Sequence, residues 1–123
     1  MAGINALFDT NILIDYLNGV PAARKEVERY RDTAISIVTW MEVMAGALPA
    51  EADKVRAFLA TFIVHPLTPE IAEIAVVRRQ ALRIKLPDAI ILATAESEGR
   101  LLVTRNTKDF SSDHPGVRVP YRL

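Results

Sequence analysis

Half of the 123 residues are hydrophobic and 24% are charged, a balance that excludes a disordered chain and allows one domain with an apolar core, but not two. Fifteen basic and fifteen acidic side chains cancel, and there is no cysteine, so neither a disulfide frame nor a thiolate zinc site can form and a reducing cytoplasm fits. Residues 1–60 carry six basic and eight acidic side chains and residues 61–123 nine and seven, so charge is divided only weakly along the chain.

Taken in order, "INALF" (4–8) reads as a buried strand and "NILIDYL" (11–17) as a short helix. "PAARKEVERYRD" (21–32) reads as a charged surface helix with Pro21 in its first turn. "TAISIV" (33–38) is rich in β-branched residues and short enough for a central strand, and "TWMEVMAGA" (39–47) is helical, ending near Gly46 and Pro49. In "AEADKVRAFLATF" (50–62) the spacing of Val55, Phe58, Leu59 and Phe62 gives one apolar helical face, for which core packing is the default and a dimer contact the alternative. "IVHPL" supplies a third strand; helices follow over "PEIAEIAVVRRQALRI" (69–84) and "LPDAIILATAESEG" (86–99), the second opened by Pro87 and closed by Gly99. "LLVT" is a fourth strand and "VRVPY" a fifth at an edge, where Pro120 is tolerated. Strands alternating with helices, each strand apolar on both faces, predict an α/β fold: a three-layer α/β/α sandwich around a mainly parallel sheet of about five strands. Residues 1–123 are expected to form a single domain. No apolar run is long enough to span a membrane, and "MAGINALFDT" lacks the basic start and apolar core of a signal peptide. The expectation is a cytoplasmic protein.

In such folds the ligand site lies beyond the carboxyl ends of the strands, where strand order reverses. Acids stand at those junctions: Asp9 after the first strand, Glu42 one turn beyond the second, Asp88 opening the long helix and Asp109 beyond the fourth strand. Each has a structural role open to it singly. Asp9 can cap the helix near Ile12, Thr39 and Glu42 have the spacing of a capping box, and Asp88 complements a helix dipole. If their side chains converge, they carry a larger cost. Two carboxylates ~4 Å apart repel by as much as ~4 kcal/mol at an effective dielectric of ~20, more than the ~1 kcal/mol a cap returns. Such a cluster needs a cation, or one member held protonated. With His65 and His114 as the only histidines, a metal site would be built from oxygen ligands, which favours Mg2+ or Mn2+ over zinc.

In this order and at this length, "LFDTNILIDYL", "ISIVTWMEVMAGA", "LPDAIILATA" and "LLVTRNTKDF" resemble the PIN-domain ribonucleases, in particular the VapC-type and FitB-type toxins of bacterial toxin-antitoxin pairs. The resemblance runs nearly end to end. It implies a magnesium-dependent endoribonuclease, a homodimer, and a small antitoxin protein that blocks the site. It makes Asp9 and Asp88 metal ligands and Glu42 the second-motif acid, and leaves the fourth position between Asn106 and Asp109. A metal-bound water would attack phosphorus in line, leaving a 5′ phosphate and a 3′ hydroxyl. Thr10, Asn11, Thr104 and Asn106 can hold carboxylates, waters or phosphate oxygens by hydrogen bonds; turn formation and capping are the plainer roles for Asn11 and Thr104.

RNA requires positive charge, and the candidates are Arg78, Arg79, Arg83 and Lys85 before Asp88, with Arg105 and Lys108 near the fourth strand. Arg79 and Arg83 lie one helical turn apart; a solvated face is the plainer account of such a run. Trp40 can stack a base or pack in the core. Two non-enzymatic readings stand beside the nuclease: a receiver-like acidic module and a catalytically silent PIN-like binding domain. The receiver wants adjacent acids after the first strand and a late lysine, whereas "ALFDTN" holds one acid and "VRVPYRL" no lysine.

Overall fold

The structure is a computed structural model and describes residues 5–123. Five strands, β1 (Ala6–Phe8), β2 (Thr33–Ser36), β3 (Ile63–His65), β4 (Leu101–Val103) and β5 (Val117–Arg118), form one sheet in the order β3-β2-β1-β4-β5. Every pairing is parallel. The α-helices are α1 (Thr10–Leu17), α2 (Pro21–Glu28), α3 (Ile37–Ala45), α4 (Ala52–Leu59), α5 (Pro69–Leu82) and α6 (Leu86–Ser97), with a 3-10 turn over Pro49–Glu51. Ile4, included in the expected first strand, lies outside the described residues.

The period-2 geometry of a strand sends the buried side chains of β1 to opposite faces. Leu7 joins Leu102 and the inner faces of α5 and α6 in one core cluster. Ala6 and Phe8 join Ile35, Val103, Ile12, Leu13, Val43 and Leu59 in another, beneath α1, α3 and α4. Two cores on two faces of one sheet make the three-layer sandwich. Phe8 is fully buried and meets Tyr30 and Phe62 edge-on, with centroids 5.9 and 6.0 Å away; such pairs add about 0.5–1.5 kcal/mol each beyond area burial. Phe58 stacks on Tyr16 and touches Phe62, so these aromatics pack against the second core. No helix of the described residues is long and apolar enough to cross a membrane.

Several boundaries differ from the sequence expectation. Ile37 and Val38, read as strand, begin α3, because Ser36 Oγ accepts a hydrogen bond from the Val38 N–H and caps the helix. A cap contributes about 1 kcal/mol, enough to offset the weak helix propensity of two β-branched residues. With Ser36 in that place, Thr39 lies inside the helix, and the Thr39/Glu42 capping box does not form. The charged helix stops at Glu28 instead of running to Asp32, and Tyr30 turns into the core. Helix α5 ends at Leu82, where Arg83 adopts a left-handed φ of 56° and turns Ile84 inward. Strand β5 is two residues rather than the five of "VRVPY".

Strand β1 lies at the centre of the sheet, with β2 on one side and β4 on the other. Chain order reverses there, so the crevice where α/β folds bind ligands opens at the carboxyl ends of β1 and β4.

Candidate active site

Asp9 stands at that crevice. Its N–H donates to Val103 O at 2.9 Å, joining the ends of β1 and β4, and the residue is 3% exposed. One carboxylate oxygen accepts from the Thr10 N–H at 2.7 Å, capping α1. The other accepts from the Thr104 hydroxyl at 2.7 Å and from Asn11 Nδ2 at 3.2 Å. Capping and site placement therefore coexist in one residue: the cap orients the carboxylate. Burial pushes the Asp9 carboxyl above its ordinary range and the charge of Glu42 adds to this, against the hydrogen bonds from Thr104, Thr10 and Asn11.

Glu42, on α3, is exposed and receives the Thr10 hydroxyl at 2.6 Å. The fully buried Thr39 hydroxyl lies 3.1 Å from that of Thr10. Asp88 occupies the first turn of α6. Its carboxyl is pushed up to about 6 by burial and by the charges of Asp9, Asp109 and Glu42, with Lys85 offsetting part of the effect. Asp109 is held by Asn106, whose Nδ2 donates to Asp109 Oδ2 at 3.0 Å and whose Oδ1 accepts the Asp109 N–H at 3.2 Å. The two candidates for the fourth position, Asn106 and Asp109, are thus bonded to each other.

The four acids are neighbours in field rather than in contact. Among the described residues, no three acidic or histidine side chains form a ready-made metal cage. The donor set still suits a hard cation that retains its waters: the candidate donors are all oxygens, and burial first, then neighbouring acids (Glu42 for Asp9; Asp9, Asp109 and Glu42 for Asp88), hold both carboxyls above their ordinary pKa.

The basic candidates separate. Arg79, Arg83, Lys85 and Lys108 are exposed. Arg78 is engaged by Glu96 at 2.8 Å. Arg105 forks onto the buried carboxylate of Asp15 through Nε at 2.5 Å and a terminal nitrogen at 3.0 Å, so its charge is already balanced. Trp40 is half-buried against the second core, with the Arg56 guanidinium 5.4 Å from its ring centre. His65 accepts from Arg100 Nε at 3.0 Å.

Sequence reading missed two buried ion pairs. Asp15 binds Arg105 and the Tyr121 hydroxyl, and Glu26 binds Arg118 and the Tyr30 hydroxyl. For Asp15 a signal was present: an acid inside the apolar run "NILIDYL", four residues after Asn11 and hence on the same helix face.

Comparison with known proteins places these observations. The PIN domain family profile matches residues 6–112. Ribonuclease VapC10 of Mycobacterium tuberculosis is 38% identical over 112 residues, covering 85% of this chain and 84% of that protein. A toxin-antitoxin complex from Klebsiella pneumoniae contains a chain with 48% identity and a TM-score of 0.92, covering 97% of this chain and 100% of that one. FitAcB from Neisseria gonorrhoeae, at 22% identity, a TM-score of 0.74 and full coverage of both chains, shares the fold.

Proposed function

The chain belongs to the PIN domain family, and from that premise we propose that it is a divalent-metal-dependent endoribonuclease, the toxin of a toxin-antitoxin pair. One observation carries the reading: at the switch point of the sheet Thr10 bonds to both Asp9 and Glu42, at 2.7 and 2.6 Å, and Asp88 is pushed up to about 6 by its burial and then by the charges of Asp9, Asp109 and Glu42. A cap or dipole role for each acid separately gives no reason for them to gather.

Asp9 and Asp88 would hold Mg2+ or Mn2+, with Glu42 and Asp109 holding its waters. When bound, such an ion supplies a water of lowered pKa and neutralises charge on the phosphate. The chain's own residues do the rest. Thr104 and Asn11 fix the Asp9 carboxylate, Thr10 fixes Glu42, and Asn106 fixes Asp109. Hydrogen-bonded carboxylates of this kind keep their orientation when the substrate arrives. Lys85, close enough to Asp88 to lower its pKa, with the exposed Arg79 and Arg83, would attract phosphate without reading sequence. Hydrolysis would leave a 5′ phosphate and a 3′ hydroxyl.

The partners follow from the relatives. The chain with 48% identity comes from a toxin-antitoxin complex, which supports a cognate antitoxin here; a homodimer acting in the cytoplasm as a single domain completes the reading, and sedimentation gives its mass. The deciding experiment is cleavage of RNA with Mg2+ by the wild type, Asp9→Asn and Asp88→Asn. Loss of cleavage in both variants, with their folds intact, is the expected result. Retention of RNA in the presence of a chelator, with no cleavage by the wild type under Mg2+ or Mn2+, would instead identify a binding module.

A further inference from the structure

From Thr104 to Gly116 the chain has turns but no regular secondary structure, yet it carries Asp109. Isolated backbone turns, such as Phe110 N–H to Asn106 O at 3.1 Å, shape it locally, and side-chain bonds tie it to the rest of the fold. Helix α1 holds it at two points one turn apart: Asn11 Oδ1 accepts the Arg105 N–H at 3.2 Å, and Asp15 receives the Arg105 side chain as a two-pronged fork. Asp15 is 4% exposed, and the Tyr121 hydroxyl also donates to it at 2.7 Å. The next residue, Asn106, donates its N–H to Thr104 Oγ1 at 3.0 Å and grips Asp109 with its side chain. Bonds thus run without a gap from Asp15 through Arg105 and Asn106 to Asp109.

We propose that Asp15, Arg105 and Tyr121 form a positioning latch that sets Asp109 beside Asp88, and that Arg105 acts through this loop and not on RNA. The proposal rests on the nuclease reading for its catalytic consequence, but the latch itself is a matter of geometry. Both Asp15 oxygens are taken by the guanidinium, so the pair presents little net charge to a phosphate. A planar fork is also a contact that lysine cannot reproduce.

The fold contains its own control. Glu26 holds Arg118 through Nε at 2.7 Å and a terminal nitrogen at 3.1 Å, and receives the Tyr30 hydroxyl at 2.8 Å. This second carboxylate-arginine-tyrosine set ties β5 to α2; it meets the loop through the backbone, where Arg118 O accepts the Thr104 N–H at 3.0 Å, and among the described residues its side chains bond to none of Arg105, Asn106 and Asp109. A purely structural role would make the two sets equivalent in their effects.

The test uses Arg105→Lys, Tyr121→Phe and, as control, Glu26→Gln. Two quantities are read: kcat and KM for RNA cleavage with Mg2+, and the NMR signals and hydrogen exchange of the Asn106 side-chain amide in metal-free protein. Arg105→Lys keeps the charge and loses the fork, so kcat is expected to fall about tenfold or more at constant KM, as displaced catalytic groups do, while the Asn106 amide exchanges faster. Tyr121→Phe, the mildest change and the one most certain to fold, shifts both in the same direction by less. Glu26→Gln lowers the melting temperature and leaves kcat and the Asn106 amide unchanged. An unaltered Asn106 amide in Arg105→Lys, or a raised KM at constant kcat, overturns the proposal. If the wild type cleaves no RNA, the nuclease reading fails while the amide signals still decide whether the latch exists.

Discussion

The Thr10 hydroxyl donates to Glu42 Oε1 at 2.6 Å while the N–H of the same residue donates to Asp9 Oδ1 at 2.7 Å. One threonine thereby orients two acids, one at the end of β1 and one on α3. Thr10→Val removes the first bond, together with the 3.1 Å bond to the Thr39 hydroxyl, and keeps the second, since the backbone is unchanged. Glu42 is exposed and can turn to water, but the fully buried Thr39 hydroxyl loses its partner, so stability should fall by about 1–3 kcal/mol. Cleavage should fall about tenfold through loss of orientation, and Thr10→Ser should restore it. Equal rates in Thr10→Val and wild type would remove Thr10 from the machinery.

Asp88 gives a pH signature. Its folded pKa, about 6, lies above its ordinary value of 3.8, so the native state binds its proton more tightly than the unfolded chain does. The charged form is therefore a burden that is absent below about pH 4 and grows as the pH rises towards 6. In metal-free protein, Asp88→Asn should match the wild-type melting midpoint below pH 4 and exceed it above pH 6. Asp88 is half-exposed, so solvent screening limits the gain to about 1 kcal/mol, a few degrees. A lower midpoint for Asp88→Asn at pH 7 would mean that Asp88 serves mainly as a partner of the α6 dipole.

Those acids were legible in sequence because buried parallel strands read as short apolar runs, and a charge at the end of such a run has few reasons to be there. Asp9 follows "ALF" directly and shows this; Asp109 lies five residues beyond "LLVT", and sequence leaves the fourth position open between it and Asn106. The limits of β2 were not legible: β-branched Ile37 and Val38 favour a strand, and only the Ser36 hydroxyl, by capping α3, converts them. Nor were the buried pairs, because Asp15 meets Arg105 across 90 residues of sequence and Glu26 meets Arg118 across 92. Local spacing carries no trace of such a partner. Glu26 consequently read as one more charge on a surface helix, though it is 5% exposed.

Glu26 should matter more for stability than any acid of the crevice. Arg118 holds its carboxyl below the ordinary range together with the Tyr30 hydroxyl, against the opposing effect of burial. Removing one partner of a fully buried pair costs about 3–5 kcal/mol; Arg118 is a third exposed, so Glu26→Gln should cost about 2–3 kcal/mol. A carboxyl with a lowered folded pKa stabilises above its unfolded value of about 4.5, and that contribution is lost as the pH falls through the folded value. The gap between wild type and Glu26→Gln in urea denaturation should accordingly be largest near neutral pH and narrow in acid. A gap that is constant with pH would assign the effect to packing alone.

Metal addition should act in the opposite sense from acid-cluster repulsion. A ligand that binds only the native state at a hundred times its dissociation constant stabilises by ~2.7 kcal/mol. Mg2+ or Mn2+ should therefore raise the wild-type melting midpoint by several degrees. Asp9→Asn and Asp88→Asn each remove a carboxylate from the crevice and should lose most of that rise. Glu26→Gln starts from a lower midpoint but keeps all four crevice acids, so its metal-induced rise should equal that of the wild type. A rise of equal size in Asp88→Asn and wild type would place the cation elsewhere on the molecule and leave the crevice acids without the counter-charge that the proposed function needs.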